Sequence, residues 1–225
     1  MAIEDPQKIT KANTSYNVIK TSDRTLVSRG GRSSLNLTTD IIKSTKAARQ
    51  ANQLLVEDAW SQKIWKWADK FGITEDLIPR DRESLLALTS LNIESSCLIE
   101  LWSMGRLTNL AALDVRNNIL SELPESIGRL TNLESLIIGD NNLSELPESI
   151  GQLTNLWCLK IEDNNLSELP ESIGRLTNLE VLDVRNNNLS ELPESIGQLT
   201  NLRYLSIGNN NLSELPESIG QLTNL

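Results

Sequence analysis

The stretch NLSELPESIGQLTNL at residues 142–156 decides the fold, because almost the same fifteen residues return at positions 165, 188 and 211. The interval is 23 residues each time. A constant period of about 20 to 50 residues is typical of chains that stack one supersecondary unit on the next. Threonine follows this period through the whole region, at Thr108, Thr131, Thr154, Thr177, Thr200 and Thr223.

The aliphatic residues keep fixed positions within each period. In the first full unit they stand, with one asparagine and one proline, at Leu110, Leu113, Val115, Asn118, Leu120, Leu123, Pro124, Ile127 and Leu130, and four more units repeat the frame. Leucine at these offsets in a period of about 20 to 29 residues indicates a leucine-rich repeat. We therefore predict an α/β solenoid with a parallel β-sheet on its concave face, short helical or 3-10 turns on its convex face, and an N-terminal helical cap.

Each repeated position has a predicted structural role. Leu113 and Val115 alternate with Asp114, so the aliphatic side chains should point inward and the carboxylate outward. Pro124 suits the first position of a short helical turn, and Gly128 should let the chain reverse towards the next strand. A stack of asparagines should satisfy buried loop backbone groups as a structural asparagine ladder, formed by Asn118, Asn141, Asn164, Asn187 and Asn210.

Residues 39–107 precede the five full units in 108–225 and depart from their pattern. Residues 85–107 fit the frame as a degenerate first repeat, with Ser96 where asparagine is expected and Trp102 where proline is expected. Residues 39–84 are predicted to form a helical cap, because apolar residues follow helical spacing there. A membrane-surface or partner helix is the alternative to a cap. The apolar residues with this spacing are Val56, Trp60, Ile64, Trp67 and Phe71.

The two ends of the chain carry separate predictions. Residues 1–38 are rich in Ser and Thr and have few apolar residues, which predicts a disordered leader. The alternative is a bacterial export signal. At the other end the last unit stops without a polar cap, so we expect the sequence to be truncated there, with self-association through the uncapped end as the alternative.

Composition limits the chemistry and the partners. The 225 residues contain no histidine, which excludes Ser-His-Asp and Cys-His nucleophile arrangements and His-containing metal sites from them. We expect no enzyme activity, no cofactor and no metal. Residues 1–109 carry 15 Lys+Arg and 13 Asp+Glu, a net charge of +2, whereas residues 110–225 carry 6 and 17, a net charge of −11. An acidic solenoid repels phosphate, so a protein partner is predicted rather than nucleic acid.

Cysteines and hydropathy indicate where the chain acts. Cys97 and Cys158 are separated by more than two periods, which places them too far apart for a disulfide within the molecule. Two free thiols favour a reducing compartment, so a cytoplasmic location is predicted, with export to a host cell as the alternative. The chain has neither a secretory signal nor an apolar run long enough to span a membrane, so no membrane insertion is expected.

Differences among the five units concentrate on the outward positions of the strands. Random sequence drift after duplication of the units is the alternative explanation, and it predicts differences at every exposed position. Four other positions are also expected to be exposed, yet they do not vary among the units: Ser121, Glu122, Glu125 and Ser126. We therefore predict that the concave face binds a partner. Trp157 and Tyr204 are the expected anchors, although Trp157 packing at the strand edge is the alternative. The candidate residues are Trp157, Tyr204, Arg116, Arg185, Lys160, Asp114, Glu162, Asp183, Ile137 and Arg203.

Residues 85–225 resemble the 23-residue class of intracellular leucine-rich repeats found in SHOC-2-like Ras-pathway scaffolds, in plant intracellular Ras-group proteins and in bacterial proteins. The NLSELPESIG motif carries this resemblance, and the segment 67–80 is similar to the cap of bacterial members. The resemblance implies a bacterial protein-binding solenoid. Three hypotheses follow: a stand-alone scaffold or adaptor, a secreted effector that binds host proteins, and the targeting module of an enzyme with a catalytic domain beyond residue 225.

Overall fold

The computed structural model describes residues 45–49, 59–101 and 104–225. The predicted leader at residues 1–38, together with Val56 and Trp102, lies outside the described residues. Residues 45–49 are helical with exposed side chains.

The repeats form a six-stranded parallel sheet in which the strands follow chain order. The central leucines are in register, for example Leu136 beside Leu159 and Leu159 beside Leu182, so each period of the sequence adds one strand. The predicted α/β solenoid is therefore confirmed. The strands are β1 Ser90–Asn92, β2 Ala112–Asp114, β3 Ser135–Ile137, β4 Cys158–Lys160, β5 Val181–Asp183 and β6 Tyr204–Ser206.

The inward side chains of the strands and turns form one continuous hydrophobic core. Leu113 and Val115 are buried, as the alternation of β2 requires, and Asp114 between them is partly exposed. Burial of aliphatic rows against neighbouring coils stabilises the stack, because a single coil cannot cover its own apolar side.

A 3-10 turn follows each of the strands β2 to β6. The predicted position of proline in this turn is wrong by one residue. Pro124 has φ −70° and ψ 146°, which is extended backbone, and its carbonyl accepts the Ile127 N–H at 2.9 Å. Proline is therefore the capping residue, and a glutamate occupies the first position of the turn. The turns are Glu125–Arg129, Glu148–Gln152, Glu171–Arg175, Glu194–Gln198 and Glu217–Gln221.

The glycine of each turn has a different role from the one predicted. Among the described glycines, Gly72 is the one with positive φ, so Gly128 does not reverse the chain through the left-handed region. A Cβ atom on Gly128 would instead lie 2.5 Å from the carbonyl oxygen of Ser149 in the next coil. Glycine is needed here because two successive turns approach each other too closely for a side chain.

The serine of each turn is also buried more deeply than predicted. Ser126 is partly exposed, but its equivalents Ser149, Ser172 and Ser195 are at most 8% exposed. The invariance of this serine therefore follows from packing between coils, and it no longer counts against drift as the origin of the variable positions. Ser121, Glu122 and Glu125 are exposed, as expected.

The turn after each strand is made by a residue that the sequence pattern did not single out. Asn117 has φ 55°, and the residues at the same place in later coils have φ between 52° and 55°. Asparagine and aspartate tolerate this left-handed conformation better than other residues with a side chain. The later residues are Asp140, Asp163, Asn186 and Asn209.

Within residues 59–101, two helices precede the first strand. Helix α1 covers residues 59–70 and buries Ile64, Trp67 and Ala68 in the core that continues into the repeats. Gly72 follows at φ 68° and ends the helix. Helix α2, Arg82–Leu86, begins at Asp81, whose carboxylate accepts the Ser84 N–H. This hydrogen bond lowers the pKa of Asp81 below its usual value.

Candidate partner-binding surface

Four of the five asparagines predicted to form a ladder are buried inside the stack, and Asn210 in the last coil is partly exposed. Asn164 shows the arrangement: its Oδ1 accepts the Leu143 N–H at 2.9 Å, and its Nδ2 donates to the Ile138 carbonyl at 3.1 Å and to the Ile161 carbonyl at 3.2 Å. Each asparagine thus satisfies backbone groups of its own coil and of the preceding one. These side chains are unavailable to a partner, because their polar atoms are already used.

The structure also contains a second series of asparagine contacts, which the sequence pattern did not suggest. The Nδ2 atom of Asn155 donates to the Thr131 carbonyl at 2.8 Å, and the same bond recurs from coil to coil. It ties the Thr-Asn segment before each strand to the preceding coil at the surface. The other donors are Asn109, Asn132, Asn178, Asn201 and Asn224.

The outward side chains of β1 to β6 and of the residues beside them form one surface, which we call the sheet face. In-register pairing places equivalent residues of successive coils about 5 Å apart on it. Trp157 is 45% exposed and Tyr204 is 48% exposed. The Trp157 backbone carbonyl accepts the N–H groups of Glu180 and Val181. Its backbone therefore continues the sheet, while almost half of its ring surface faces solvent.

The three arginines of the sheet face are paired with carboxylates. Arg116 lies 3.0 Å from Asp114 and 3.4 Å from Glu94. The degenerate first repeat supplies Glu94, which the sequence analysis did not select, although its alignment with Arg116 in the repeat frame could have identified it. Partly exposed pairs of this kind hold the arginine in place more than they stabilise the fold.

The remaining arginines follow the same pattern. Arg185 lies 3.6 Å from Asp183, and Arg203 lies 3.5 Å from Glu180. Glu180 and the exposed Glu134, which flank Trp157 in neighbouring coils, are further members of the sheet face that the sequence analysis did not list as candidates. Ile137 is partly exposed and stands beside Lys160 in the register.

Two outward positions are less accessible than predicted. Asp183 is 3% exposed, so its carboxylate serves Arg185 and the Arg185 backbone N–H rather than a partner directly. Cys158 is 5% exposed, and burial raises the pKa of its thiol above the usual value for a cysteine, which disfavours the reactive thiolate. Both cysteines are free, and Cys97 is exposed.

The other side of the solenoid carries acidic grooves between successive turns. One groove is lined by Glu171, Glu191, Glu194 and Glu214 together with prolines, and two similar grooves precede it. Within the part of the chain that the structure describes, no group of three or more His, Cys, Asp or Glu residues is placed to hold a metal ion. Over the same residues, the helices lack the length and apolar character that a membrane span requires.

Comparison with known proteins agrees with this architecture. A family model described as a leucine-rich repeat region matches residues 81–166 and 159–225. No curated protein sequence matches the chain significantly. A leucine-rich-repeat protein of Leptospira interrogans is similar in structure, with 30% identity and a TM-score of 0.40, over 64% of this chain and 50% of that one.

Two plant receptor structures are also similar. The plant peptide hormone receptor RGFR1, solved in complex with RGF2, is 41% identical with a TM-score of 0.59, over 63% of this chain and 24% of the receptor. The second structure is the ectodomain of the receptor kinase GASSHO1/SCHENGEN3 from Arabidopsis thaliana, in complex with CASPARIAN STRIP INTEGRITY FACTOR 2. It is 33% identical with a TM-score of 0.54, over 63% of this chain and 18% of that ectodomain. The chain spans half or less of the length of these three proteins.

Proposed function

Because the chain belongs to the leucine-rich-repeat family, we propose that it is a non-enzymatic protein-binding scaffold or adaptor whose partner docks on the sheet face. The observation that carries this proposal is the coincidence of sequence variation with exposed aromatic surface. Trp157 and Tyr204 occur beside and within strands, at positions where other coils have different residues, and both residues are about half exposed. Aromatic side chains with this exposure are the common anchors of protein interfaces.

The geometry of the anchors supports a single binding site. Trp157 is next to β4 and Tyr204 is the first residue of β6, so they stand two coils, or about 10 Å, apart along the stack. A peptide segment or a small protein surface spans this distance. The charge of −11 over residues 110–225 favours a partner of basic or mixed charge over a nucleic acid.

The two plant structures support a protein or peptide partner as well. One is a peptide hormone receptor in complex with RGF2, and the other is a receptor kinase ectodomain in complex with CASPARIAN STRIP INTEGRITY FACTOR 2. Both share this solenoid over less than a quarter of their own length. Their ligands are not transferred to this chain, but the existence of both complexes agrees with the proposal.

Substitution of the two anchors tests the proposal. The chain is immobilised, incubated with lysate of the source cells, and bound proteins are quantified by mass spectrometry for the wild type and for Trp157→Ala/Tyr204→Ala. We expect the wild type to retain a specific partner. The amount of this partner recovered should fall at least about tenfold in the double variant, since each anchor contributes about 1 kcal/mol or more to the binding free energy.

A matched control separates the sheet face from exposed apolar surface in general. Ile119 is 48% exposed but lies outside the sheet face, and later coils have asparagine at its position. Ile119→Asn should therefore leave capture unchanged. Equal capture by the wild type and the double variant, with both folded by circular dichroism, would show that the sheet face is not the binding surface.

We also propose that the protein acts in a reducing, cytoplasmic setting. Two free cysteines, one of them exposed, support this, because exposed thiols are oxidised in extracellular compartments. Fractionation of the source cells tests it. Recovery of the protein in the medium or in a host cell would instead favour the secreted effector, and deletion of residues 1–38 would then be expected to abolish export.

A further inference from the structure

Among the described residues of the sheet face, the coil of β4 carries two oppositely charged side chains that have no partner. The arginines at 116, 185 and 203 are ion-paired. Among the residues that the structure describes, by contrast, neither the Lys160 ammonium nor the Glu162 carboxylate forms an ion pair or a hydrogen bond. The coil that presents Trp157 therefore also presents one free cation and one free anion.

Glu162 lies in a notch that the neighbouring coil creates. Gly139 occupies the equivalent position in the preceding coil, and a Cβ atom there would lie 2.7 Å from the Glu162 Cδ atom. The carboxylate thus folds over the space that a side chain would fill. Its Oε2 atom is buried and makes no hydrogen bond to the described residues. A carboxylate oxygen withdrawn from water and left unpaired is costly, so a cation from outside would gain more there than at an open surface.

Neither neighbour of Lys160 in the sheet register forms an ion pair with its ammonium group. Its register partners are Ile137 on one side and Asp183 on the other. Ile137 carries no charge, and Asp183 is ion-paired with Arg185. Lys160 is partly buried, and a lysine in this setting packs its aliphatic stem on the protein while its ammonium group stays at the surface.

We infer that the partner presents an extended segment with one basic and one acidic side chain two residues apart, the basic group on Glu162 and the acidic group on Lys160. This inference rests on the proposed function of the sheet face. Residues two positions apart in an extended chain point to the same side and lie about 7 Å apart, and Lys160 and Glu162 are likewise two positions apart along the chain. A helical partner would need charges three or four positions apart instead.

The pairing also gives a physical basis for discrimination. A partner with a basic residue opposite Lys160 would meet like charge, and one with an acidic residue opposite Glu162 would add a second carboxylate to a half-buried site. Trp157 offers contact area to any apolar side chain. The Lys160–Glu162 pair instead discriminates between partners by the order of the basic and acidic residues along their segment. Specificity in this surface therefore depends on the charged pair more than on the aromatic anchors.

Selection from a displayed library of random linear peptides tests the inference on the full chain. We expect the peptides retained by the wild type to be enriched in a basic and an acidic residue two positions apart. A representative peptide of this kind should bind Glu162→Gln about tenfold more weakly, the size of one partly desolvated charge pair. Gly139→Ala should weaken it similarly, because the added methyl group displaces the carboxylate.

Two further variants make the outcome decisive. The charge exchange Lys160→Glu/Glu162→Lys keeps the net charge and should select peptides with the opposite order of charges. Glu145→Gln removes an exposed carboxylate on the far side of the solenoid and should change nothing. If Trp157→Ala abolishes peptide binding but Glu162→Gln leaves it within about twofold, the inference is wrong while the proposed function stands. If no peptide is retained, the inference of an extended segment is wrong, and the capture experiment with the double variant decides the proposed function. If Trp157→Ala binds as the wild type does, both fail.

Discussion

The coil segments 188–202 and 211–225 consist of the same fifteen residues, NLSELPESIGQLTNL, yet their side chains have different surroundings. Leu192 is 4% exposed and Leu215 is 49% exposed. Ile196 is fully buried, whereas Ile219 only packs against the edge of the core. The first segment lies between two other coils, and the second has a described neighbour on one side. Burial in this fold is therefore a property of the stack and not of the local sequence.

The backbone of the two segments, by contrast, is the same. Pro193 has φ −67° and ψ 147°, and Pro216 has φ −64° and ψ 149°. A 3-10 turn follows in both. Local sequence thus determines the conformation of a coil, and the neighbouring coil determines how much that conformation is stabilised. Pairs of identical residues in the two segments separate these contributions.

Truncation of the isoleucine in each turn should give the largest contrast. Ile196→Ala removes a fully buried side chain between two turns and should lower the free energy of unfolding by about 2–5 kcal/mol. Ile219→Ala removes a side chain that is already partly in water, and should cost less than about half as much. Urea denaturation of both variants, followed by circular dichroism, measures the difference.

The slope of the urea unfolding transition provides the control for the two isoleucine variants. Local unfolding of the last coil before the rest would lower the slope of the transition for Ile219→Ala, because less surface is exposed in the main step. Equal losses of stability in the two variants, with equal slopes, would show that a second stacked coil adds nothing to the burial of this position.

The asparagine ladder should show a smaller contrast. Asn187→Ala leaves the buried Leu166 N–H without its side-chain partner and removes one of the two asparagine donors to the Ile161 carbonyl, so it should cost about 2–4 kcal/mol. Asn210 makes equivalent bonds but is partly exposed, so water can replace its amide and the loss should be about 1 kcal/mol. Hydrogen exchange of the Leu166 and Leu189 amides reports each loss directly. Comparable acceleration at both amides would contradict this difference in burial.

Much of the fold could be predicted from the period alone. The spacing of 23 residues and the alternation around Leu113 indicated one strand per coil, and the five ladder asparagines lie at the positions that the pattern selected. These features depend on each residue's own place in the repeat. Periodicity reports such features reliably, because every coil contributes an independent example of the same local arrangement.

Contacts between coils could not be predicted in this way. Ser149 was expected to resemble an exposed serine, and Gly128 a chain-reversing glycine, but the two positions are invariant because the turns touch there. A small residue is found both at exposed positions and at positions where two coils pack closely. Only the distance between the coils, which the sequence does not report, distinguishes these two cases. The pairing of Arg116 with Glu94 is different, because the repeat frame aligns these two residues and the sequence could have identified it.

Substitution of the turn glycine should change the free energy of unfolding least. It is also the most discriminating comparison, because the sign of the change should differ between the two segments. A Cβ atom on Gly197 would lie 2.6 Å from the Ser218 carbonyl oxygen, whereas a Cβ atom on Gly220 would meet nothing within 4 Å. Gly197→Ala should therefore destabilise the protein by about 1–3 kcal/mol through overpacking. Gly220→Ala should be neutral or stabilise it by up to about 1 kcal/mol, since alanine restricts the unfolded chain more than glycine does.

Thermal unfolding of both glycine variants in parallel measures this change of sign. A rise in Tm for Gly220→Ala and a fall for Gly197→Ala would assign the glycine requirement to the approach of the next coil, since the two residues share the same flanking sequence. A fall of equal size in both would mean that the backbone of the turn itself demands glycine, and the contact with the serine carbonyl would then be a consequence of the turn rather than its cause.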